Sequence, residues 1–137
     1  MNNALKNKVA VITGGNSGIG LAAAKELVAR EATVLITGRR KEAIEKAAEE
    51  TGTIPFVADQ ASLDDIDKLK EELQSRFGAI DILFINAGIT GGFGSIANAS
   101  VDNFDSVMNI NFRGAYFTLS KLIPLLNEGA SVVILSS

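Results

Sequence analysis

The sequence predicts an α/β fold in one domain, residues 1–137, built on a doubly wound parallel sheet with helices on both faces. Three observations predict it. Short apolar runs alternate with longer amphipathic segments along the whole chain. The runs are continuously apolar, as strands covered on both faces are. The first run passes through a glycine-rich turn straight into a helix, the start of a βαβ unit.

Residues 9–13 form the first strand, and 21–30 a helix with Leu21, Ala24, Leu27 and Val28 on one face. Residues 33–37 are the second strand, closed by Gly38. Residues 42–51 are a helix with Ile44, Ala47 and Ala48 inward, and Gly52 ends it. Residues 54–58 are a third strand, which Pro55 places at a sheet edge. Ser62 caps a helix reaching Phe77, with Asp65 completing a near capping box and Ile66, Leu69, Leu73 and Phe77 as its apolar stripe. Residues 81–86 hold the fourth strand, and 88–98 a Gly-rich, mobile loop. Ser100 caps a long helix that runs to Leu126. Asn109, Asn111 and Gly114 break it, because Asn amides compete for backbone groups. Residues 131–135 are the fifth strand. Ligands of such sheets sit beyond the carboxyl ends of the strands, where the strand order reverses.

Composition narrows the chemistry. A chain of 137 residues can bury a sizeable core. A net charge of −3 and the lack of a basic block argue against nucleic acid. There is no cysteine, which excludes disulfides, thiol catalysis and cysteine-based metal sites, and no metal site is expected. There is no histidine, so proton transfer would fall to Tyr, Lys, Asp, Glu, Ser or water. Residues 1–8 are polar and lack a secretory apolar core, and no run reaches membrane-spanning length. The expectation is a cytoplasmic protein with no membrane partner.

The turn Thr13-Gly14-Gly15-Asn16-Ser17-Gly18-Ile19-Gly20 has the form of a phosphate cradle. Its glycines admit a close ligand, and the helix that follows offers free N–H groups and a partial positive charge. The spacing is Gly-x-x-x-Gly-x-Gly, a weak signal alone and a stronger one between strand and helix. The second strand ends Gly38-Arg39-Arg40-Lys41, with three cations and no acid. An acid there would hold a ribose 2′-hydroxyl, and a basic residue a 2′-phosphate. Arg39 and Arg40 therefore favour NADP as cofactor, with NAD as the alternative; the competing reading is a solvated basic turn. Asp59 and Gln60 follow the third strand on the same edge, where Asp59 could instead cap a helix. Asn86-Ala87-Gly88 follows the fourth strand, where Asn86 could merely make a turn. Tyr116 is the only tyrosine and reads as core or interface.

Taken in order, these motifs resemble the N-terminal part of a short-chain dehydrogenase/reductase with a Rossmann-type sheet, truncated after the fifth strand. The resemblance implies that Thr13, Gly14, Asn16, Ser17, Gly18, Ile19, Gly20, Arg39, Arg40, Asp59, Gln60, Asn86, Ala87 and Gly88 bind the cofactor. Asp59 would hold the adenine amino group. Asn111, followed by Phe112-Arg113-Gly114, resembles the family's catalytic-site Asn, which holds a water in a proton relay. Ser137 resembles its catalytic Ser, which orients the substrate oxygen. The implied chemistry is hydride transfer between nicotinamide and a carbonyl or alcohol carbon of a small molecule. The implied assembly is a homodimer or homotetramer of the complete protein, paired through residues 102–126. The family's Tyr and Lys would follow Ser137 by about a dozen residues and then one helical turn. Tyr116 cannot replace that Tyr, since it precedes the fifth strand and Ser120 stands four residues on. The 137 residues alone are therefore expected to lack dehydrogenase activity, and to leave an apolar patch and an open edge at the fifth strand. Two other readings are a non-catalytic nucleotide-binding or interaction module and, more weakly, a sugar-nucleotide epimerase-like relative. Ile89, Phe93 and Ile96 suggest a partly apolar carbonyl substrate.

Overall fold

The structure, a computed structural model, describes residues 3–92 and 94–136. Five strands, β1 (Val9–Thr13), β2 (Thr33–Gly38), β3 (Ile54–Val57), β4 (Ile80–Ile85) and β5 (Leu126–Ile134), form one parallel sheet in the order β3-β2-β1-β4-β5. The chain winds outward from β1 to β3, then crosses back to β4. The order therefore reverses between β1 and β4, and a crevice opens at their carboxyl ends. Pro55 lies on an edge strand, as expected, where its missing N–H costs no ladder bond.

Alternation along each strand builds two cores. Ala10 and Ile12 of β1 face one way, with Val34 and Ile36, onto α1 (Gly18–Ala29) and α2 (Lys41–Thr51) through Ala24, Ile44, Ala47 and Ala48. Val11, Leu35 and Leu83 face the other way onto α3 (Leu63–Arg76) and a later helix through Leu69, Leu73 and Leu122. Helices thus cover both faces.

Local signals act as read. Gly52 takes the left-handed conformation at the end of α2, at φ 73°. Ser62 Oγ accepts from Asp65 N–H at the start of α3, and Ser100 Oγ from Asn103 N–H at the start of α4 (Val101–Met108). The capping box does not close: Asp65 Oδ2 accepts instead from Asp59 N–H at 2.8 Å, six residues back. The expected break in the long helix is a π-helical segment, Asn109–Gly114, before α5 (Ala115–Leu122).

The end of that helix differs from expectation. α5 stops at Leu122, and one 3₁₀ turn, Ile123–Leu125, leads into β5 at Leu126. Pro124 is the cause, since its ring would clash with the carbonyl four residues earlier in a continuing helix. β5 starts five residues before the expected strand. Leu126 pairs with Ile80 and Ser131 with Ile82, so the residues between are looped out of the ladder, with Gly129 at φ 79°. At this end of the sheet Asp81 accepts hydrogen bonds from Val9 N–H and Asn127 Nδ2, each at 2.9 Å. The Val9 bond first, then Asn127 and the charge of Lys8, hold its carboxyl below the ordinary carboxylate range, against a smaller opposing effect of burial. β5 is an edge strand, and Val132, Val133, Ile134 and Leu135 are exposed. No helix among the described residues is long and apolar enough to cross a membrane.

Candidate functional site

A cleft of about 260 Å³ opens at the carboxyl ends of the strands. Gly14, Asn16 and Ser17 line it from the turn after β1, and Thr37, Gly38, Arg39 and Arg40 from the end of β2. Ala58, Asp59 and Gln60 line it after β3, Asn86, Ala87, Gly88 and Ile89 after β4, and Ile110 from the π segment. Ten of the residues expected to bind cofactor therefore meet in one cleft. Gly38, Ile89, Thr37, Ala58 and Ile110 complete the lining; Ile89 was read from sequence as a substrate-side residue, and Thr37, Ala58 and Ile110 were not singled out. Position directly before or after a marked motif is the only signal those three carry.

The glycine turn is built to leave room. Gly14 sits at φ 67°, and a Cβ there would fall 2.8 Å from Ala87 Cα. A Cβ on Gly20 would fall 2.3 Å from Gly14 O and 2.6 Å from Asn86 Nδ2. α1 begins at Gly18, three residues earlier than expected, with Ile19 exposed in its first turn. Ser17, its N-cap, makes no side-chain capping bond, and the first turn holds no acid. The positive end of this helix is thus left uncompensated by its own residues, as an anion-binding helix start requires.

Behind the turn lies Thr13, 2% exposed. Its Oγ1 accepts from Asn86 N–H at 3.0 Å and from Ala87 N–H at 3.1 Å. Asn86 Nδ2 donates to Gly14 O at 2.9 Å. Three hydrogen bonds therefore join the turn after β1 to the segment after β4, and Gly15 N–H donates to Thr37 O to join it to β2. Thr13, Gly20 and Asn86 act as the frame of the cradle.

The other walls carry charge. Arg39 and Arg40 are exposed at the cleft beside Asn16, with no acid on β2. Asp59 sits in a stiff loop: its Oδ1 accepts from Ala61 N–H, its carbonyl from Ser62 N–H, and its own N–H is held by Asp65. Gln60 turns its amide inward, onto Ala87 O and Ile110 O. Asn111 uses its side chain on the backbone of one residue: Oδ1 accepts from Ile89 N–H at 2.9 Å and Nδ2 donates to Ile89 O at 2.7 Å. A Cβ on Gly88 would lie 3.1 Å from Asn111 Oδ1. The π segment thereby grips the start of the 88–98 loop. Asn103 Oδ1, accepting from Gly92 N–H at 2.7 Å, grips it again. Ser137, the expected catalytic Ser, and Phe93 of the loop lie outside the described residues. Tyr116 is not core: it is 61% exposed, edge-on to Phe117.

The family model described as short chain dehydrogenase matches residues 8–137. The chain belongs to the short chain dehydrogenase family. It is 35% identical over 139 residues to a versicolorin reductase of Emericella nidulans, a match over 97% of this chain and 52% of that protein. A 3-ketoacyl-(acyl-carrier-protein) reductase of Brucella melitensis, complexed with NADH, superposes with a TM-score of 0.91 at 34% identity, over 98% of this chain and 59% of that one. A Shigella flexneri structure of short chain dehydrogenase type, complexed with NADP, superposes with a TM-score of 0.89 at 26% identity, over 100% of this chain and 62% of that one. This short chain dehydrogenase sequence thus spans about half the length of the curated relatives it matches. Its family is one of oxidoreductases, and its neighbours bind both NADH and NADP.

Proposed function

We propose that the protein is an NADP(H)-preferring oxidoreductase that exchanges hydride with a carbonyl or alcohol carbon of a small molecule, and that these residues form its cofactor-binding portion. The observation that carries the cofactor choice is the pair Arg39 and Arg40, which line the same cleft as the glycine turn while β2 supplies no acid. The residues present fit a dinucleotide. The turn is a cradle that side chains at Gly14 or Gly20 would fill, and α1 presents a positive end. Gly14, Asn16, Ser17, Gly18 and Ile19 would hold the pyrophosphate, Arg39 and Arg40 the 2′-phosphate, and Asp59 the adenine side, while Gln60, its amide spent on Ala87 O and Ile110 O, would shape the cleft wall from within. Asn86, Ala87 and Gly88 would border the nicotinamide side, with Thr13 and Gly20 as support. When bound, the nicotinamide supplies hydride exchange.

The chain's own residues place the reacting groups. Asn111 fixes the loop peptide at Ile89 beside Gly88. In this reading Asn111 and Ser137 belong to the catalytic set, with Ser137 orienting the substrate oxygen. The proton-transferring Tyr and its Lys belong to the remainder of the full-length protein, so residues 1–137 alone bind cofactor without turnover. The partner is a second copy of the chain, in a cytoplasmic homodimer or homotetramer. Phe104, Met108, Phe112 and Tyr116, spaced four residues apart and exposed, supply the apolar row for that contact.

The deciding experiment is titration of the intact protein with NADPH and NADH, before and after Arg39→Asp. Tighter NADPH binding that the substitution reverses supports the reading. An unchanged ratio rejects Arg39 as the phosphate reader.

A further inference from the structure

We infer that Gln60 is a positioning residue that holds the nicotinamide side of the cleft onto the rigid loop after β3. The inference rests on the cofactor reading above.

Gln60 is 6% exposed. Its Nε2 donates to Ala87 O at 3.0 Å and to Ile110 O at 2.7 Å, so both amide protons are spent on backbone carbonyls. Its Oε1 is buried with no hydrogen-bond partner among the described residues. The orientation follows: turned over, the amide would set its oxygen against two carbonyl oxygens. An oxygen buried without a donor is unfavourable, and here the cost is met because the two donated bonds reach segments 27 and 50 residues away. Ala87 is the centre of Asn86-Ala87-Gly88. Ile110 immediately precedes Asn111, in a π segment where the regular helical ladder is interrupted. No other neutral side chain of this reach carries two N–H donors on one atom, and Glu carries none when ionised.

The loop that bears Gln60 has anchors of its own. Asp59 and its neighbours are tied by Asp65, Ala61 and Ser62, and Ala58 N–H donates to Gly38 O at 2.9 Å. Gly114 packs so closely that a Cβ there would fall 2.3 Å from Gln60 O. The adenine-side loop is therefore stiff without the Gln60 amide. Gly88, Ile89 and Asn111 take their distance from that loop through it. Loss of the amide should spare the adenine side and loosen the nicotinamide side.

The test compares NADPH with 2′,5′-ADP, which lacks the nicotinamide half, on the intact protein and its Gln60→Met and Gln60→Glu variants. Gln60→Met keeps the length and loses both donors. We expect it to bind 2′,5′-ADP as before and NADPH about tenfold more weakly, the size of one lost hydrogen bond. Gln60→Glu should show the same loss at pH 8 and recover as pH falls through the carboxyl's own pKa, which burial against two carbonyl oxygens raises above the ordinary value of about 4.3, because a protonated carboxyl regains one donor. The charged groups around it are Asp59, Asp65 and Arg113, whose Nη1 reaches Ala61 O at 3.5 Å. The wild type controls for their titration. Variants that keep the wild-type ratio of the two affinities, or lose both ligands equally, overturn the inference. Should Gln60→Met fail to fold, the pH response of Gln60→Glu decides alone. A wild type that binds neither NADPH nor NADH removes the cofactor reading itself, and this inference with it.

Discussion

Replacing Thr13 by Val tests the frame of the cradle. The two side chains have nearly the same shape, so packing in β1 is kept while one oxygen is lost. That oxygen accepts both Asn86 N–H and Ala87 N–H. Each N–H left without a partner costs about 1–3 kcal/mol. Two such groups give about 2–6 kcal/mol, and because both bonds are only part-buried, the expected loss is near the lower end, about 2–3 kcal/mol. Urea unfolding of the intact protein reads it as a lower midpoint at unchanged slope. Thr13→Ser restores the acceptor and should recover most of the loss. NADPH affinity should fall with Thr13→Val as well, because the Asn86–Gly14 bond that closes the turn depends on where Asn86 is held. A Thr13→Val protein within about 0.5 kcal/mol of wild type, the usual range for an inert substitution, would refute the claim that this hydroxyl joins the two segments.

Other outcomes follow from single observations. Arg39→Asp should weaken NADPH by about tenfold to a hundredfold, the loss of a charge-assisted phosphate contact, with NADH binding kept; Gly38→Asp is a poorer choice, since its Cβ would sit 3.2 Å from Ile44 Cδ1. Gly20→Ala should abolish tight cofactor binding, measured by nicotinamide fluorescence, because its Cβ would meet Gly14 O at 2.3 Å. Asp81 has a carboxyl held below 3.8, so its contribution to stability is present above that pH and is lost as pH falls through the lowered value. The stability gap between wild type and Asp81→Asn should therefore be constant from neutral pH down towards 4 and close below it; a gap that widens in acid would contradict the assignment. Phe112→Glu with Tyr116→Lys should shift the intact protein to a smaller species in light scattering, since these rings are 65% and 61% exposed on the apolar row.

Much of this fold was legible because its signals are local. Continuous apolar runs read as doubly covered strands, and each of the five lies in the sheet. Ser62, Ser100 and Gly52 act within four residues of themselves, so their caps could be read without knowing what packs nearby. Asn109 and Asn111 marked the π segment because their amides disfavour a regular helix. Pro124 was equally legible and was the missed signal for the end of α5.

What the sequence by itself determined is the alternation of elements, their caps, and the residue types gathered at the carboxyl ends of the strands. Only the tertiary structure decided which of those residues touch. Asp65 binds Asp59 instead of closing its own cap, Asn111 spends its amide on Ile89, and Gln60 spends both its amide protons on Ala87 O and Ile110 O. Tyr116 faces outward although its neighbours are apolar. The physical reason is range. A cap is set by bonds three or four residues long, whereas Thr13 meets Asn86 and Ala87 across 73 and 74 residues, and that meeting exists only because the sheet places β4 beside β1.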